Sequence, residues 1–171
     1  MAYRPPEPLD EHHLLDDLSC GEPALDEWLR RHARATQASE AARVFVTRLD
    51  DTAGVVAYYA LAAAHVAPSD ATARTLKGQP RGRPVPAIIL ARLAVGERHQ
   101  RSGLGRSLPQ DALLRSAQAA ETISARVLLV HAKRDGARDW YLKYGFEPSP
   151  TDPLHVQRLM KDIRRLLKRA S

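Results

Sequence analysis

Ala87-Ile88-Ile89-Leu90-Ala91-Arg92-Leu93-Ala94-Val95 is apolar at every position but Arg92. A strand with apolar side chains on both faces belongs inside a sheet covered on both sides. Beyond it, Gln100-Arg101-Ser102-Gly103-Leu104-Gly105 opens a helical pattern from about Gly103 to Glu121. A second apolar strand follows, Ala125 to Val130. Strand, helix, strand is a crossover unit, so these two strands are expected to lie parallel.

The chain upstream has a different character. Leu25, Trp28, Leu29 and Ala33 recur at helical spacing, predicting a helix over about Glu22 to Ala38 with these residues facing the core. Ser19 and Gly21 stand ahead of it as possible caps, and Pro23 suits an early helical position. Arg43 to Leu49 then reads as a strand, Gly54 as a turn, and Val55 to Leu61 as the hairpin partner. Gly78 to Pro84, rich in Pro and Arg, reads as an exposed loop. Arg138 to Tyr144 predicts a short helix ended by Gly145, and a last strand near Val156–Met160 leads into a basic tail at about 161–171. An antiparallel half followed by a parallel crossover argues for a mixed α/β sheet with helices on both faces. The 171 residues suit a single domain over 1–171.

Composition narrows the function. Cys20 is the one cysteine, so no internal disulfide forms and the cytosol is the natural compartment. The opening Met-Ala-Tyr-Arg-Pro-Pro-Glu-Pro lacks the apolar stretch of a secretory signal. The longest apolar run, Val55 to Val66, holds two Tyr and a His and is too short for a bilayer, so membrane insertion is not expected. The histidines show no metal-ligand spacing with acidic or thiol partners, and no metal is expected. A formal net charge of +6 favours polyanionic partners.

The turn at Gln100–Gly105 has the makings of an anion site. Glycines let backbone N–H groups converge on one spot, and a helix N-terminus adds positive character there. Arg101 and Arg106 flank it. A Walker A loop is excluded, because Gly105 is followed by Arg106 and Ser107 rather than Lys and Ser/Thr. The dinucleotide fingerprint is excluded by Leu108 where a third glycine is required. Pro109, just beyond the first helical turn, is expected to kink the helix by clashing with the carbonyl of Gly105.

Gln-x-x-Gly-x-Gly after a strand ending Arg92-Leu93-Ala94-Val95 resembles the acetyl-CoA-binding motif of the GNAT superfamily of N-acetyltransferases. The resemblance implies a single-domain GNAT fold with a splayed central parallel strand pair. It implies that Leu93, Ala94 and Val95 meet the pantetheine arm of acetyl-CoA, and that Gln100, Arg101, Ser102, Gly103, Leu104, Gly105 and Arg106 surround its pyrophosphate. Trp140-Tyr141-Leu142-Lys143-Tyr144-Gly145-Phe146 resembles the family's aromatic–Tyr, spacer, Gly-Phe pattern and makes Tyr141 the candidate catalytic residue. The chemistry agrees: when an amine attacks a thioester, the departing thiolate needs a proton, and a phenol with pKa near ~10 can supply it.

Leu18-Ser19-Cys20-Gly21-Glu22-Pro23-Ala24-Leu25-Asp26-Glu27-Trp28-Leu29 resembles the opening of the GNAT toxins of bacterial toxin–antitoxin modules. Gln37 through Val46, Tyr58-Tyr59-Ala60-Leu61, Pro86 to Val95 and Gly145-Phe146-Glu147-Pro148-Ser149-Pro150 continue the likeness, which runs from about Leu14 to Met160. It implies acetylation of the α-amino group of an aminoacyl-tRNA, a block of translation, a ribbon-helix-helix antitoxin partner and, often in the family, a homodimer. Arg30, Arg31 and Arg34, then Arg74, Lys77, Arg81 and Arg83, and Arg92 are the candidates to face a tRNA backbone. Arg92 stands out, since a charge inside a buried strand needs a partner, either a phosphate or an internal ion pair. The tail, with Ile163, Leu166 and Leu167 at helical spacing, packs on the body, contacts RNA or serves a dimer. Cys20 reads as a small packing residue, with no base beside it to make it a nucleophile. Two rival readings stay open: a small-molecule amine acetyltransferase, and a non-catalytic CoA-binding interaction protein indifferent to Tyr141.

Overall fold

The computed structural model describes residues 2–170. Met1 and Ser171, the last residue of the expected basic tail, lie outside the described residues. The strands are β1 (Glu7–Pro8), β2 (Arg43–Arg48), β3 (Val55–Val66), β4 (Val85–Val95), β5 (Val127–His131), β6 (Glu147–Pro148) and β7 (His155–Leu159). They make a seven-stranded sheet in the order β1-β2-β3-β4-β5-β7-β6. The helices are α1 (Pro23–Arg31), α2 (Ala33–Ala38), α3 (Ala73–Leu76), α4 (Leu104–Thr122), α5 (Asp135–Lys143) and α6 (Met160–Ala170). β4 and β5 are parallel, from Ala87↔Val127 to Leu90↔Val130, as the crossover pattern predicts. β1–β2, β2–β3, β5–β7 and β6–β7 are antiparallel. The parallel register ends at Leu90, while β4 itself continues to Val95.

The chain clusters into two compact units. The first comprises residues up to Ala62 with Ala91–Ala112. Side chains alternate across a strand, so the adjacent Tyr58 and Tyr59 point to opposite faces, and both are fully buried. The Tyr58 hydroxyl donates to the Leu25 carbonyl of α1 at 2.7 Å, and that of Tyr59 to Asp111 of α4 at 2.5 Å. A helix therefore covers each face, which is why β2 is buried from Val44 to Thr47 without alternation. Leu25, Leu29 and Ala33 join Val44, Val46 and Tyr58 in one core, with Trp28 and Cys20 packed against it.

The helix expected over Glu22–Ala38 divides at His32, where φ is −121°. The N-cap of α1 is Glu22 rather than Ser19 or Gly21. Gly21 serves the turn instead, at φ 93°, a backbone state that glycine adopts without strain. The buried Asp26 accepts the Cys20 N–H at 3.0 Å. Gln37 acts as an added rung, donating to the Leu9 carbonyl at 2.6 Å and accepting the Val44 N–H at 2.9 Å.

Burial, with Asp26 beside it, pushes the Cys20 thiol up to about 11. The thiolate is the reactive species. Alkylation near neutral pH is therefore expected to be about a hundredfold slower than for free cysteine, rising with pH toward 11. Iodoacetamide labelling followed by mass spectrometry measures it, and a free-cysteine rate at neutral pH would contradict the packing role.

The second unit comprises Ala63–Leu90 and the residues from Leu113 on. Val66, Val85, Ala87, Val127, Leu129 and Leu159 form its core. Gln157, 3% exposed, ties the segment before α3 to the sheet. It accepts from the Thr72 N–H at 3.0 Å and the Thr75 hydroxyl at 2.8 Å, and donates to the Asp70 carbonyl at 3.0 Å. Arg126 reaches the carbonyls of Thr75 and Lys77, both at 2.9 Å. The loop between α3 and β4 is exposed at Arg81, Gly82, Arg83 and Pro84, as its composition predicts.

Candidate active site

In the first unit the turn between β4 and α4 is fastened from several sides. The Gly96 N–H donates to the Val56 carbonyl at 2.8 Å, and the Glu97 N–H to the Ser19 carbonyl at 2.7 Å. The Gln100 side chain donates to the carbonyls of Val95 at 3.0 Å and Cys20 at 3.1 Å. Ser102 Oγ donates to the His99 carbonyl, and Tyr3 bonds His99 Nδ1 at 2.9 Å. Gln100 and Ser102 thus spend their side chains on bracing the turn.

The braced backbone holds two left-handed residues, Arg101 at φ 65° and Gly103 at φ 95°. For a non-glycine residue that is a strained state, which persists only where the surroundings enforce it. The Gly103 carbonyl accepts from Arg106 N–H at 3.2 Å and Ser107 N–H at 3.0 Å, which starts α4. The amides ahead of those, through Gly105, are the donors that a helix N-terminus presents to an anion. A Cβ built at Gly103 or Gly105 meets nothing within 4 Å, so both glycines border open space. Arg101 and Arg106 are exposed beside them, while Leu104 is buried as the apolar anchor. A rigid, cationic, open cradle of N–H groups fits a pyrophosphate. Leading into it, Leu93 is half-buried, and Ala94 and Val95 are buried.

Pro109 is buried within α4, which runs unbroken from Leu104 to Thr122. As the sixth residue of α4 it has no N–H to give the Gly105 carbonyl, and the helix nonetheless continues through it.

In the second unit Tyr141 sits on α5 and is 6% exposed. Its ring meets Trp140 edge-on at 5.0 Å and Phe146 at 5.3 Å. Burial pushes its phenol above the ordinary value, so it holds its proton throughout the neutral range. A protonated phenol fixed by two rings can give a proton to a leaving group; it is not a base. The Tyr144 ring lies tilted against Trp140, with centroids 4.3 Å apart, and the residue caps α5, a structural post.

The acetyltransferase (GNAT) domain model matches residues 40–148, taking in β4, the turn and Tyr141. The chain belongs to the GNAT acetyltransferases. This GNAT chain is 45% identical to the tRNA-acetylating toxin of Mycobacterium tuberculosis over 97% of its own length and 98% of that protein's. Its fold is that of AtaT complexed with acetyl-methionyl-tRNAfMet, with a TM-score of 0.86, 22% identity and coverage of 97% and 99% of the two chains. It also matches an AtaT mutant toxin bound to the C-terminus of the antitoxin AtaR and acetyl-CoA, with a TM-score of 0.79, 22% identity and coverage of 95% and 97%.

The cations expected to face tRNA have varied placements in this GNAT chain. Arg34 is exposed, yet its guanidinium donates to the His13 carbonyl at 2.5 Å. Arg30 reaches the Leu18 carbonyl at 3.4 Å. Lys77 and Arg81 are exposed in the second unit. The Arg92 guanidinium lies 4.4 Å over the Trp28 ring, a cation–π contact on a half-buried strand. Trp28 was legible as a core residue, but nothing local ties it to a residue so far along the chain. Among the described residues no helix is long and apolar enough to cross a membrane, and no three His, Cys, Asp or Glu side chains are grouped to hold a metal ion.

Proposed function

We propose that this chain transfers the acetyl group of acetyl-CoA to the α-amino group of an aminoacyl-tRNA, and acts in the cytoplasm as the toxin of a toxin–antitoxin pair. The observation that carries this reading is the identity, along nearly the whole chain, to the tRNA-acetylating toxin of Mycobacterium tuberculosis. An AtaT mutant toxin that shares the fold is bound to the C-terminus of the antitoxin AtaR, which supports an antitoxin partner for this chain, in this reading one with a ribbon-helix-helix domain.

In this reading the amides from Ser102 to Gly105, with Arg101 and Arg106, hold the pyrophosphate, and the β4 backbone from Leu93 to Val95 lies along the pantetheine arm. Gln100 works through the loop it braces. The neutral amine attacks the thioester carbon, the C–S bond breaks, and the Tyr141 hydroxyl gives its proton to the departing sulfur. The amine proton is released to solvent, from which Tyr141 recovers its own. An α-amino group with pKa near ~8 is partly neutral at physiological pH, so the acceptor needs no strong base.

Transfer of labelled acetyl from acetyl-CoA to bulk aminoacylated tRNA tests the reading. Label is expected on the aminoacyl group. Absence of transfer with a full set of aminoacyl-tRNAs, despite measured acetyl-CoA binding, would rule out that acceptor.

A further inference from the structure

Within the second unit, beside the end of α5, lies a cavity of about 330 Å³ whose lining includes Arg74, Arg158, Arg165 and Arg169 with the single carboxylate Asp162. The sequence brings the arginines together by helical spacing. Arg158 stands at the end of β7, and Asp162, Arg165 and Arg169 follow on α6 at i, i+3 and i+7, one face of the helix. Arg74 enters from α3.

The charges at this cavity do not balance. Asp162 binds Arg74 at 2.6 Å and lies 3.8 Å from Arg165. Glu147 is 3.9 Å from Arg74. Even counting both carboxylates, the four arginines leave an excess of two positive charges. Arg158 is confined as well: it donates to the Tyr144 carbonyl, and a Cβ at Gly145 would stand 2.9 Å from its Cζ. Burial and the neighbouring Arg74 both disfavour its charge, and only Asp162 relieves it. Guanidinium groups crowded around a cavity without matching carboxylates are stabilised by an anion that several can hold at once. Planar forks of this kind suit phosphate oxygens.

We infer that the cavity between β7 and α6 is a phosphate-binding site that takes a phosphodiester of the tRNA backbone. The inference rests on the aminoacyl-tRNA reading above. The polymer, rather than a free phosphate, is favoured by the rest of α6, where Lys161, Arg164 and Lys168 add to Arg165 and Arg169 and Asp162 is the one acid. A single phosphate uses the cavity alone; a polyanion uses the cavity and the helix beyond it. The helix that carries Tyr141 ends at Tyr144 and Gly145, beside this cavity. A phosphate held here therefore fixes the tRNA in relation to that helix.

The test uses the full chain with Arg165→Glu and Arg169→Glu together. Both side chains are exposed, so the fold is expected to persist, and thermal melting checks this. Binding of deacylated tRNA is measured by fluorescence anisotropy across a salt series. The slope of log affinity against log salt is expected to shrink by about one for each arginine lost. The KM for aminoacyl-tRNA is expected to rise about tenfold or more. The KM for acetyl-CoA, and acetylation of a short aminoacylated CCA-end fragment, stay unchanged. Arg165→Lys with Arg169→Lys should recover the salt slope.

Wild-type affinity and slope in the Glu variant would overturn the proposal. So would weakened binding of inorganic phosphate or of polyglutamate alone, with tRNA binding intact. If the wild type acetylates no aminoacyl-tRNA but its tRNA binding still depends on Arg165 and Arg169, the acceptor reading fails and the phosphate site stands.

Discussion

Replacing Tyr141 with Phe is expected to lower kcat for acetyl transfer by about 10²–10⁴-fold, the usual worth of a positioned general acid. Acetyl-CoA affinity and melting temperature should hardly change. The ring supplies the packing, through its edge contacts with Trp140 and Phe146, and Phe keeps that ring. Only the hydroxyl is lost. Because burial raises the Tyr141 pKa, the phenol does not titrate as pH climbs through the neutral range. The wild-type rate should therefore rise with pH through the pKa of the acceptor amine and then level off. Rates of labelled transfer at saturating acetyl-CoA, taken across pH 6 to 9 for both proteins, supply the measurement. Full activity in the Phe variant would remove Tyr141 from the chemistry and favour a packing role.

The second large effect is expected at Gly103. Its φ of 95° is a state that side-chain-bearing residues rarely adopt, so Gly103→Val should force the turn to rearrange at a cost of about 1–2 kcal/mol. Paid at the cradle itself, that corresponds to about a five- to thirtyfold rise in the Kd for acetyl-CoA. Gly105→Ala is the control: no positive φ is required there and a Cβ meets open space, so the free protein should be unharmed. Loss of acetyl-CoA affinity in that variant would then report contact with the ligand rather than damage to the loop. Calorimetric titration of both variants decides the matter. Wild-type affinity in Gly103→Val would mean that the turn does not hold the pyrophosphate.

The legible features share a physical basis: each is written in a short stretch of chain. The apolar run ending at Val95 announces a covered strand because burial on both faces excludes polar side chains. The crossover to Val127–His131 predicts the parallel pair because a helix must lie between such strands. Gln100 to Gly105 is legible as a turn opening a helix because glycine takes the left-handed state that Gly103 adopts without strain. Trp140 to Phe146 is legible as an aromatic cluster, and the catalytic reading of Tyr141 came from the family likeness.

The tertiary structure decided what depends on partners distant in sequence. No spacing rule pairs Arg92 with Trp28, or turns Gln37 and Gln157 into rungs between segments. The two-residue strands at Glu7 and Glu147 carry too little pattern to be seen, and exist because a neighbouring edge accepts them. The division of the first helix at His32 has no glycine or proline to mark it. The tail reads as a basic segment with apolar residues at helical spacing, whereas the fold sets its Arg165 and Arg169 beside Arg74 and Arg158 around one cavity. Local pattern determined which segments become strand, helix and turn, since backbone geometry and burial act residue by residue. Which charges meet was left to packing, because a long side chain's partner is set by three-dimensional proximity alone.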